Sequence, residues 1–350
     1  MTLLPDRFRL APFLTASVVA LVAFLAVGGN AAAAFPGRAG PIAFESTRAG
    51  GLSIWLVGPN GDGLRQFTPG GGGDRRPRFR QYAPASAPDG RHIAYVGSKE
   101  AGDRTWSNLF VKGVGVRGLN QPGRRVLRQA TPRRIDSVAF APGGRRLVFS
   151  AQPRRGDPDL ELFSVRLGGA GLRQLTHNQV QDIEPNVSRS GLVAFTRLYL
   201  RGRPPVALFG PSNIALIRPS SGGSRLLTFA ARSGGEDRSP SFAPRGNWVV
   251  HERSFPDSSS SGQINEAQLS SHRSRTLFVG DPERGGFDEP HNPAYSPAGD
   301  SVVFDRTIRD EAGQITNPDL YVVGRDRKGL RYLTGLEGEY DTDPDWAPAR

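Results

Sequence analysis

Acidic residues recur at one position of the sequence, on the connections that lead into short, repeated β-rich segments. The set comprises Asp74, Asp136, Asp182, Glu184, Asp237, Asp288 and Asp341, with Glu289 and Asp343 close to the last two. Converging carboxylates attract cations, and a close pair acts as general acid and base. Three arginines, Arg197, Arg253 and Arg306, each follow the next segment at one offset and are placed to pair with the acids. We predict an acidic site, rimmed by arginines, that receives a cationic or peptide ligand.

A structural role is the alternative for the same acids. Asp side chains accept hydrogen bonds from nearby backbone N–H groups, so they cap turns and bridge neighbouring units. Two histidines, His177 and His291, lie on the same kind of connection. Two histidines without a fixed spacing are a weak metal signature, and we predict no metal site.

No catalytic or cofactor-binding motif accompanies these residues. The sequence lacks the G-x-S-x-G, H-E-x-x-H, G-x-x-x-x-G-K and dinucleotide patterns, and the run Gly70–Gly73 is interpreted as a loop. The absence of cysteine excludes a thiol nucleophile, a thiolate zinc site and disulfides. We predict no catalytic residue, no cofactor and a non-enzymatic function.

The net charge of +12 and the pI of about 10.8 raise the question of nucleic-acid binding. Only three of the 45 basic residues are lysine, and the arginines are scattered along the whole chain. A nucleic-acid binder concentrates its basic residues on one stripe with aromatic side chains for stacking, and no such stripe is visible. We predict no nucleic-acid partner.

The N-terminus has the three parts of a secretory signal peptide. Arg7 and Arg9 precede an apolar run from Leu10 to Val27, and small residues follow at 31–34. We therefore predict a signal peptide over residues 1–34 and a secreted bacterial protein, periplasmic or extracellular. The apolar run is also long enough to serve as a membrane anchor if it is retained.

A repeat positions the acids. An aromatic or small residue, a small residue and usually proline precede a β-rich run; the copies are Ser86–Gly90, Phe140–Gly144, Val187–Arg189, Phe242–Pro244, Tyr295–Pro297 and Trp346–Pro348. Successive prolines lie 54, 102, 53 and 51 residues apart, the longest interval spanning a copy without proline. A period near 50 residues predicts propeller blades.

Each repeat contains about four short strands, including a third strand such as Ser53–Val57 and a Leu-Thr pair such as Leu227-Thr228. The chain begins with a second strand at Pro41–Phe44 and ends with the missing first strand at Asp341–Pro348. Pairing these ends removes the open edges of the sheet. We predict an all-β fold over residues 35–350: a six-bladed β-propeller closed by its N- and C-terminal strands.

The repeat resembles the WD-like repeats of the TolB propeller family, from about residue 40 to residue 350. The fullest match is Asp237–Gly246, and Asp341–Pro348 repeats its start. The resemblance implies a six-bladed propeller that serves mainly as a protein-binding platform in the bacterial envelope. TolB has an α/β domain before its propeller, whereas only the predicted signal segment precedes the first repeat here. The Tol–Pal role therefore does not carry over as a whole.

Long connections point to the same end of the blades as the acids. The segment 198–211 holds Tyr199 and Phe209 among arginines and prolines, a composition typical of interface anchors. The alternative is that this loop folds back onto its own blade. We predict a non-catalytic, monomeric platform that binds a protein, peptide or glycan of the envelope, and contacts the membrane only if the N-terminal segment is retained. The alternative is an extracellular polymer-degrading lyase or hydrolase with its site at the channel mouth.

Overall fold

The computed structural model describes residues 35–70, 78–101, 104–115, 123–128, 134–154, 157, 159–199, 210–255, 261–281, 288–308, 314–335 and 339–349. The predicted signal peptide, Asp74 and Phe209 lie outside these residues. Within them, no helix has the length and apolar character needed to cross a membrane.

The described chain is almost entirely β-structure, interrupted by a short 3-10 helix at Ala230–Ser233. The strands are β1 Ala39–Ser46, β2 Ser53–Val57, β3 Arg65–Gln66, β4 Arg78–Ser86, β5 His92–Ala101, β6 Arg104–Gly113, β7 Arg124–Arg125, β8 Ile135–Phe140, β9 Arg146–Ala151, β10 Glu161–Arg166, β11 Arg173–Gln174, β12 Gln181–Val187, β13 Val193–Leu198, β14 Ser212–Ile217, β15 Ser224–Leu226, β16 Glu236–Phe242, β17 Trp248–Ser254, β18 Gln263–Gln268, β19 Ser274–Val279, β20 Asp288–Tyr295, β21 Ser301–Ile308, β22 Asp319–Gly324, β23 Arg331–Tyr332 and β24 Asp341–Pro348. The predicted all-β class is confirmed.

The strands form four-stranded antiparallel units, which we number along the chain. Unit 1 is β24-β1-β2-β3, unit 2 is β4 to β7, unit 3 is β8 to β11, unit 4 is β12 to β15, unit 5 is β16 to β19 and unit 6 is β20 to β23. Units 4 and 5 are joined by one parallel pair, Ser212 with Glu236. This arrangement is consistent with a propeller.

The C-terminal strand β24 pairs with β1 in unit 1, with Ile42 opposite Trp346 and Ser46 opposite Asp341. The indole N–H of Trp346 donates to the Gly40 carbonyl at 3.1 Å, and its ring is buried. A buried aromatic ring contributes about 1.5–3 kcal/mol through the hydrophobic effect. The end of the chain is therefore part of the core and of a sheet.

The repeated small-Pro-x-Gly sequence forms the turn between the first and second strands. In unit 5 the Gly246 N–H donates to the Ala243 carbonyl at 2.7 Å, and Gly246 has a φ of +74°. The turn needs glycine at that φ because an L side chain there clashes with the backbone.

The Leu-Thr pairs have a structural cause as well. The Thr228 hydroxyl accepts the Ile214 N–H at 2.9 Å, fourteen residues earlier in the chain, while Leu227 enters the core. The same bond joins Thr68 to Ile54, Thr176 to Leu162 and Thr334 to Leu320. The threonine supplies an acceptor to a buried N–H of the third strand, which is costly to leave unpaired.

Candidate functional site

The predicted acids lie at one edge of the sheets, which we call the loop face. It is the edge where the first strand of a unit begins, its second strand ends and its third strand begins. In unit 4 the register places Asp182 opposite Arg197, and Arg197 opposite Asn213, at this edge. The predicted acids and arginines therefore meet because antiparallel pairing aligns the start of one strand with the end of the next.

Three predicted aspartates form two-pronged ion pairs with the three predicted arginines. Arg197 donates to both oxygens of Asp182 at 2.8 and 2.9 Å, and Arg253 to both oxygens of Asp237 at 2.7 Å. Arg306 does the same to Asp288, with Nε to Oδ1 at 2.6 Å. The aspartate side chains are fully buried, so these charges need their partners.

A fourth pair was not anticipated from the sequence. Arg48 contacts both oxygens of Asp341, and the two side chains are buried. Arg48 lies two residues beyond the offset shared by the other arginines, and Ser46, the last residue of β1, occupies the position opposite Asp341. Aligning Phe44 with the aromatic residue of the other second strands places Ser46 at the arginine position, so a constant offset does not find Arg48.

A second set of contacts joins neighbouring units through bulges in the first strands. The bulge residues Ala83, Glu184, Ser239, Asn292 and Asp343 have φ between 50° and 55°, and each precedes a proline. The N–H of each donates to a side chain of the preceding unit: Glu45 at 2.6 Å, Ser137 at 3.1 Å, Glu184 at 2.9 Å, Glu252 at 2.8 Å and Asp305 at 3.1 Å, respectively. Bulges leave an N–H outside the sheet ladder, and here a side chain of the preceding unit accepts it.

The carboxylate of Glu184 accepts three hydrogen bonds in this set. Besides the Ser239 N–H, it accepts the Thr196 hydroxyl at 2.6 Å and the Arg238 guanidinium at 2.7 Å. Both Glu184 and Arg238 are buried. A carboxylate with three donors is fully used by the protein and links units 4 and 5.

Burial raises the pKa of several acids in this region. The pKa of Glu45 rises to about 7, against hydrogen bonds from Asp343 and Ala83. The pKa of Asp305 and of the predicted site residue Asp136 rises to about 6 for the same reason. Desolvation disfavours the charged form of a carboxyl group, so part of this set is protonated near neutral pH.

Glu45, Glu252 and Asp305 were missed by sequence reasoning. Each stands on the second strand at the position after the aromatic residue or His251. The signal was available, because the strand alternation places an acid in an otherwise apolar run.

The remaining predicted residues lie apart from the ion pairs. Asp136 accepts a hydrogen bond from Ser150 at 3.3 Å and has no arginine opposite it in the register of β8 and β9. Tyr199 is half-buried at the start of its connection, with its N–H bonded to the Pro211 carbonyl at 2.9 Å. Glu289 is exposed, with Oε2 3.5 Å from Nε2 of His291. That these residues and the paired aspartates bind a ligand stays a prediction.

The imidazole of His291 lies between the carboxylates of Glu252 and Glu289. Burial lowers its pKa, but the carboxylates of Glu252 and Glu289 outweigh this and raise the pKa well above its ordinary value. The imidazole is therefore a cation that holds the bulge of unit 6 to unit 5 through Glu252. Arg238 has the same role between units 5 and 4 through Glu184. Across the described chain, no three His, Asp or Glu side chains are grouped to hold a metal ion.

The loop face of unit 3 carries a cavity of about 280 Å³ beside the Asp182 pair. Asp157, Asp159, Glu161 and His177 line it, and so does Asn178, whose amide donates to Asp182 at 2.7 Å. Burial raises the pKa of Glu161 to about 7. Of these lining residues, His177 was among the candidates from the sequence, whereas the three acids were not.

Comparison with solved structures identifies the fold. The chain is similar to TolB from Acinetobacter baumannii, with 18% identity and a TM-score of 0.60, covering 89% of this chain and 67% of that one. It is also similar to a putative TolB from Agrobacterium tumefaciens, with 16% identity and a TM-score of 0.58, covering 88% of this chain and 99% of that one. An oligogalacturonate lyase in complex with manganese is also similar, at 14% identity and a TM-score of 0.53, covering 87% and 77%.

No family model matches the chain, and neither does any curated protein. The likeness to the solved structures, all below a fifth in sequence identity, is a likeness of fold. The protein has a TolB-like propeller fold, as its repeats indicate.

Proposed function

We propose that this protein is a non-catalytic binding platform of the bacterial envelope whose loop face receives a basic protein or peptide segment. The observation that carries the proposal is that a buried aspartate is paired with an arginine at the loop face of units 1, 4, 5 and 6. These pairs hold the loop face as a rigid rim. A rigid rim displays connecting loops in fixed positions, which favours recognition.

The proposal includes a closed ring of six blades. It is supported by the pairing of β24 with β1 and by the contacts of first strands in the order β4, β8, β12, β16, β20, β24 and again β4. A hydrogen bond from the Ser86 N–H to Asp345 joins the last first strand to that of unit 2. A closed ring holds the loops of all units on one surface.

The envelope location rests on the signal-peptide pattern of residues 1–34 and on the TolB-like fold. N-terminal sequencing of the protein recovered from its host tests it. We expect a mature N-terminus after Ala33 or Ala34. Recovery with the segment intact in the membrane fraction would instead indicate an anchored protein.

Retention of partners from an envelope extract, identified by mass spectrometry, tests the platform. The exposed Glu289 lies on the loop face, so Glu289→Lys changes its charge without removing a buried ion pair. Asp326→Lys, in the exposed turn between β22 and β23, is a matched reversal on the opposite edge. We expect a defined basic partner that Glu289→Lys weakens and Asp326→Lys retains. Equal retention by both variants would contradict the assignment of the loop face.

An enzyme acting on an extracellular polymer is the second proposal, and the carboxyl pair of Glu45 and Asp343 favours it. Burial raises the pKa of Glu45 to about 7 and a hydrogen bond joins it to Asp343, as suits a general acid. The similar structure of an oligogalacturonate lyase contains manganese. Manganese-dependent cleavage of a polysaccharide, lost in Glu45→Gln, would support this alternative over the platform.

A further inference from the structure

The cavity of unit 3 is small and is lined by residues of two strands and two connections. Glu161 begins β10, while Asp157 and Asp159 stand on the connection from β9 and His177 and Asn178 follow β11. Its volume of about 280 Å³ is just under the range of about 300–1,000 Å³ typical of sites for drug-sized ligands. It therefore has room for one long side chain or a small ligand.

One carboxylate oxygen in the cavity lacks a partner. Glu161 is 2% exposed, and its Oε1 accepts the Asn178 N–H at 2.6 Å. Its Oε2 is buried and has no hydrogen bond of ordinary geometry among the described residues. The Thr176 hydroxyl interacts with the carboxyl group and opposes the rise in its pKa, but it supplies no positive charge. Buried carboxylate oxygens are normally satisfied, since an unpaired polar group costs about 1–3 kcal/mol.

The same position in other units is satisfied within the protein. Asn108 exchanges two hydrogen bonds with the Leu127 backbone, and Asn213 accepts the Ala231 N–H at 3.0 Å. Asp319 accepts the Tyr332 hydroxyl at 3.0 Å. Glu161 differs from them by combining an open cavity with an oxygen that has no donor.

We propose that the cavity of unit 3 binds the guanidinium group of an arginine side chain presented by a peptide. A guanidinium donates to carboxylates from a planar fork, and it would supply the donor that Glu161 Oε2 lacks. Asp157 and Asp159 add negative charge at the cavity, while the exposed Arg154 is the one basic residue among the described lining. A metal ion is a poorer occupant because these acids are not grouped to coordinate one.

The proposal rests on the proposed function, since it names the chemistry by which the loop face holds a basic partner. The charged or titratable groups around Glu161 are Arg154, Asp157, Asp159 and His177 at the cavity and the pair Asp182 and Arg197 in unit 4. Burial raises the pKa of Glu161 to about 7, and it also raises that of Asp159. A bound cation favours the ionised carboxylates, so binding tightens as pH rises from 5.5 to 8.

Calorimetric titration of the purified protein with acetyl-Gly-Arg-Gly-amide tests the proposal. The matched peptide carries citrulline in place of arginine, which keeps the shape and removes the charge. Glu161→Gln removes the carboxylate, and Asp319→Asn is the matched variant at the equivalent position of unit 6. Asp159→Asn is a second variant of the same cavity, and circular dichroism establishes that each variant is folded.

We expect the arginine peptide to bind the wild type and Asp319→Asn alike, and the citrulline peptide to bind neither. Glu161→Gln weakens binding by roughly tenfold or more, as for loss of a hydrogen bond to a charged group. Asp159→Asn weakens it less. Equal binding of both peptides, or unchanged binding to both cavity variants, would overturn the proposal.

The two proposals fail separately. Retention of an envelope partner by a protein that ignores the arginine peptide refutes the cavity and leaves the platform. Arginine binding by a protein that retains no envelope partner refutes the platform and leaves the cavity.

Discussion

Two groups of carboxylates share the loop face and differ in what they contact. Asp182, Asp237, Asp288 and Asp341 are each enclosed by an arginine of the same unit. Glu161 lines an open cavity and has a buried oxygen with no donor among the described residues. The aspartates lie at the start of first strands and Glu161 at the start of a third strand, and the two groups also differ in their partners. We infer that the aspartates paired with an arginine stabilise the fold, whereas Glu161, which forms no ion pair with the described residues, is available to a ligand.

Removing an arginine of the first group gives the largest expected loss of stability. Arg253→Met leaves the fully buried Asp237 without its two-pronged partner. Breaking a buried ion pair costs about 3–5 kcal/mol, and we expect a decrease of that order in the free energy of unfolding. Urea titration measures it. The double variant Arg253→Met/Asp237→Asn should recover part of the loss, and a loss below about 1 kcal/mol in the single variant would break the comparison.

Protonation of Glu45 gives the next effect. Its pKa is about 7 in the folded protein against 4.5 for an ordinary Glu, so the folded state binds the proton more tightly. Its contribution to stability is complete below about pH 4.5 and is lost as pH rises through about 7. At about 1.4 kcal/mol per pH unit the loss is roughly 3 kcal/mol. Denaturant unfolding from pH 4.5 to 8 should show a smaller decrease for Glu45→Gln than for the wild type; equal slopes would contradict this assignment.

Removing the hydrogen bond between the Thr228 hydroxyl and the Ile214 N–H should cause a smaller loss of stability. Thr228→Val keeps the shape of the side chain and leaves the buried Ile214 N–H without its acceptor. We expect a loss of about 1–3 kcal/mol in the free energy of unfolding. Thr228→Ser, which keeps the hydroxyl, is the control. If the serine and valine variants lose equally, the threonine acts by packing and the account of the Leu-Thr repeat is wrong.

The smallest effect on stability is expected at the cavity. Glu161→Gln removes a buried charge that forms no ion pair with the described residues, so the free energy of unfolding at pH 8 should change by less than about 1 kcal/mol. A gain in stability would sharpen the comparison. A loss as large as that of Arg253→Met would place Glu161 in the scaffold.

The fold was accessible from the sequence because its repeat is carried by residues with local causes. The small-Pro-x-Gly turns need a glycine at positive φ, and the Leu-Thr pairs supply a core residue and an acceptor in every copy. These requirements act within about fifteen residues of the chain. Sequence pattern detects such requirements well.

The candidate site could be predicted from the sequence only in part. The pairs of Arg197, Arg253 and Arg306 follow from a constant offset, whereas Arg48 lies two residues beyond that offset. The surroundings of Glu161 are set by Asp157, Asp159 and Asn178, which stand on connections that follow no repeat. Whether a carboxylate has a partner is a property of tertiary contacts, so residue spacing does not reveal it.

Thermal unfolding with and without the arginine peptide tests the central claim most directly, because a ligand that binds the folded state raises Tm by mass action. We compare the wild type, Glu161→Gln and Arg253→Met. The account predicts that Glu161→Gln unfolds near the wild-type Tm but is not stabilised by the peptide, whereas Arg253→Met unfolds at a lower Tm and is still stabilised. A peptide-induced rise in Glu161→Gln equal to that of the wild type, or a large loss of Tm in that variant without peptide, would contradict the division between scaffold and recognition acids.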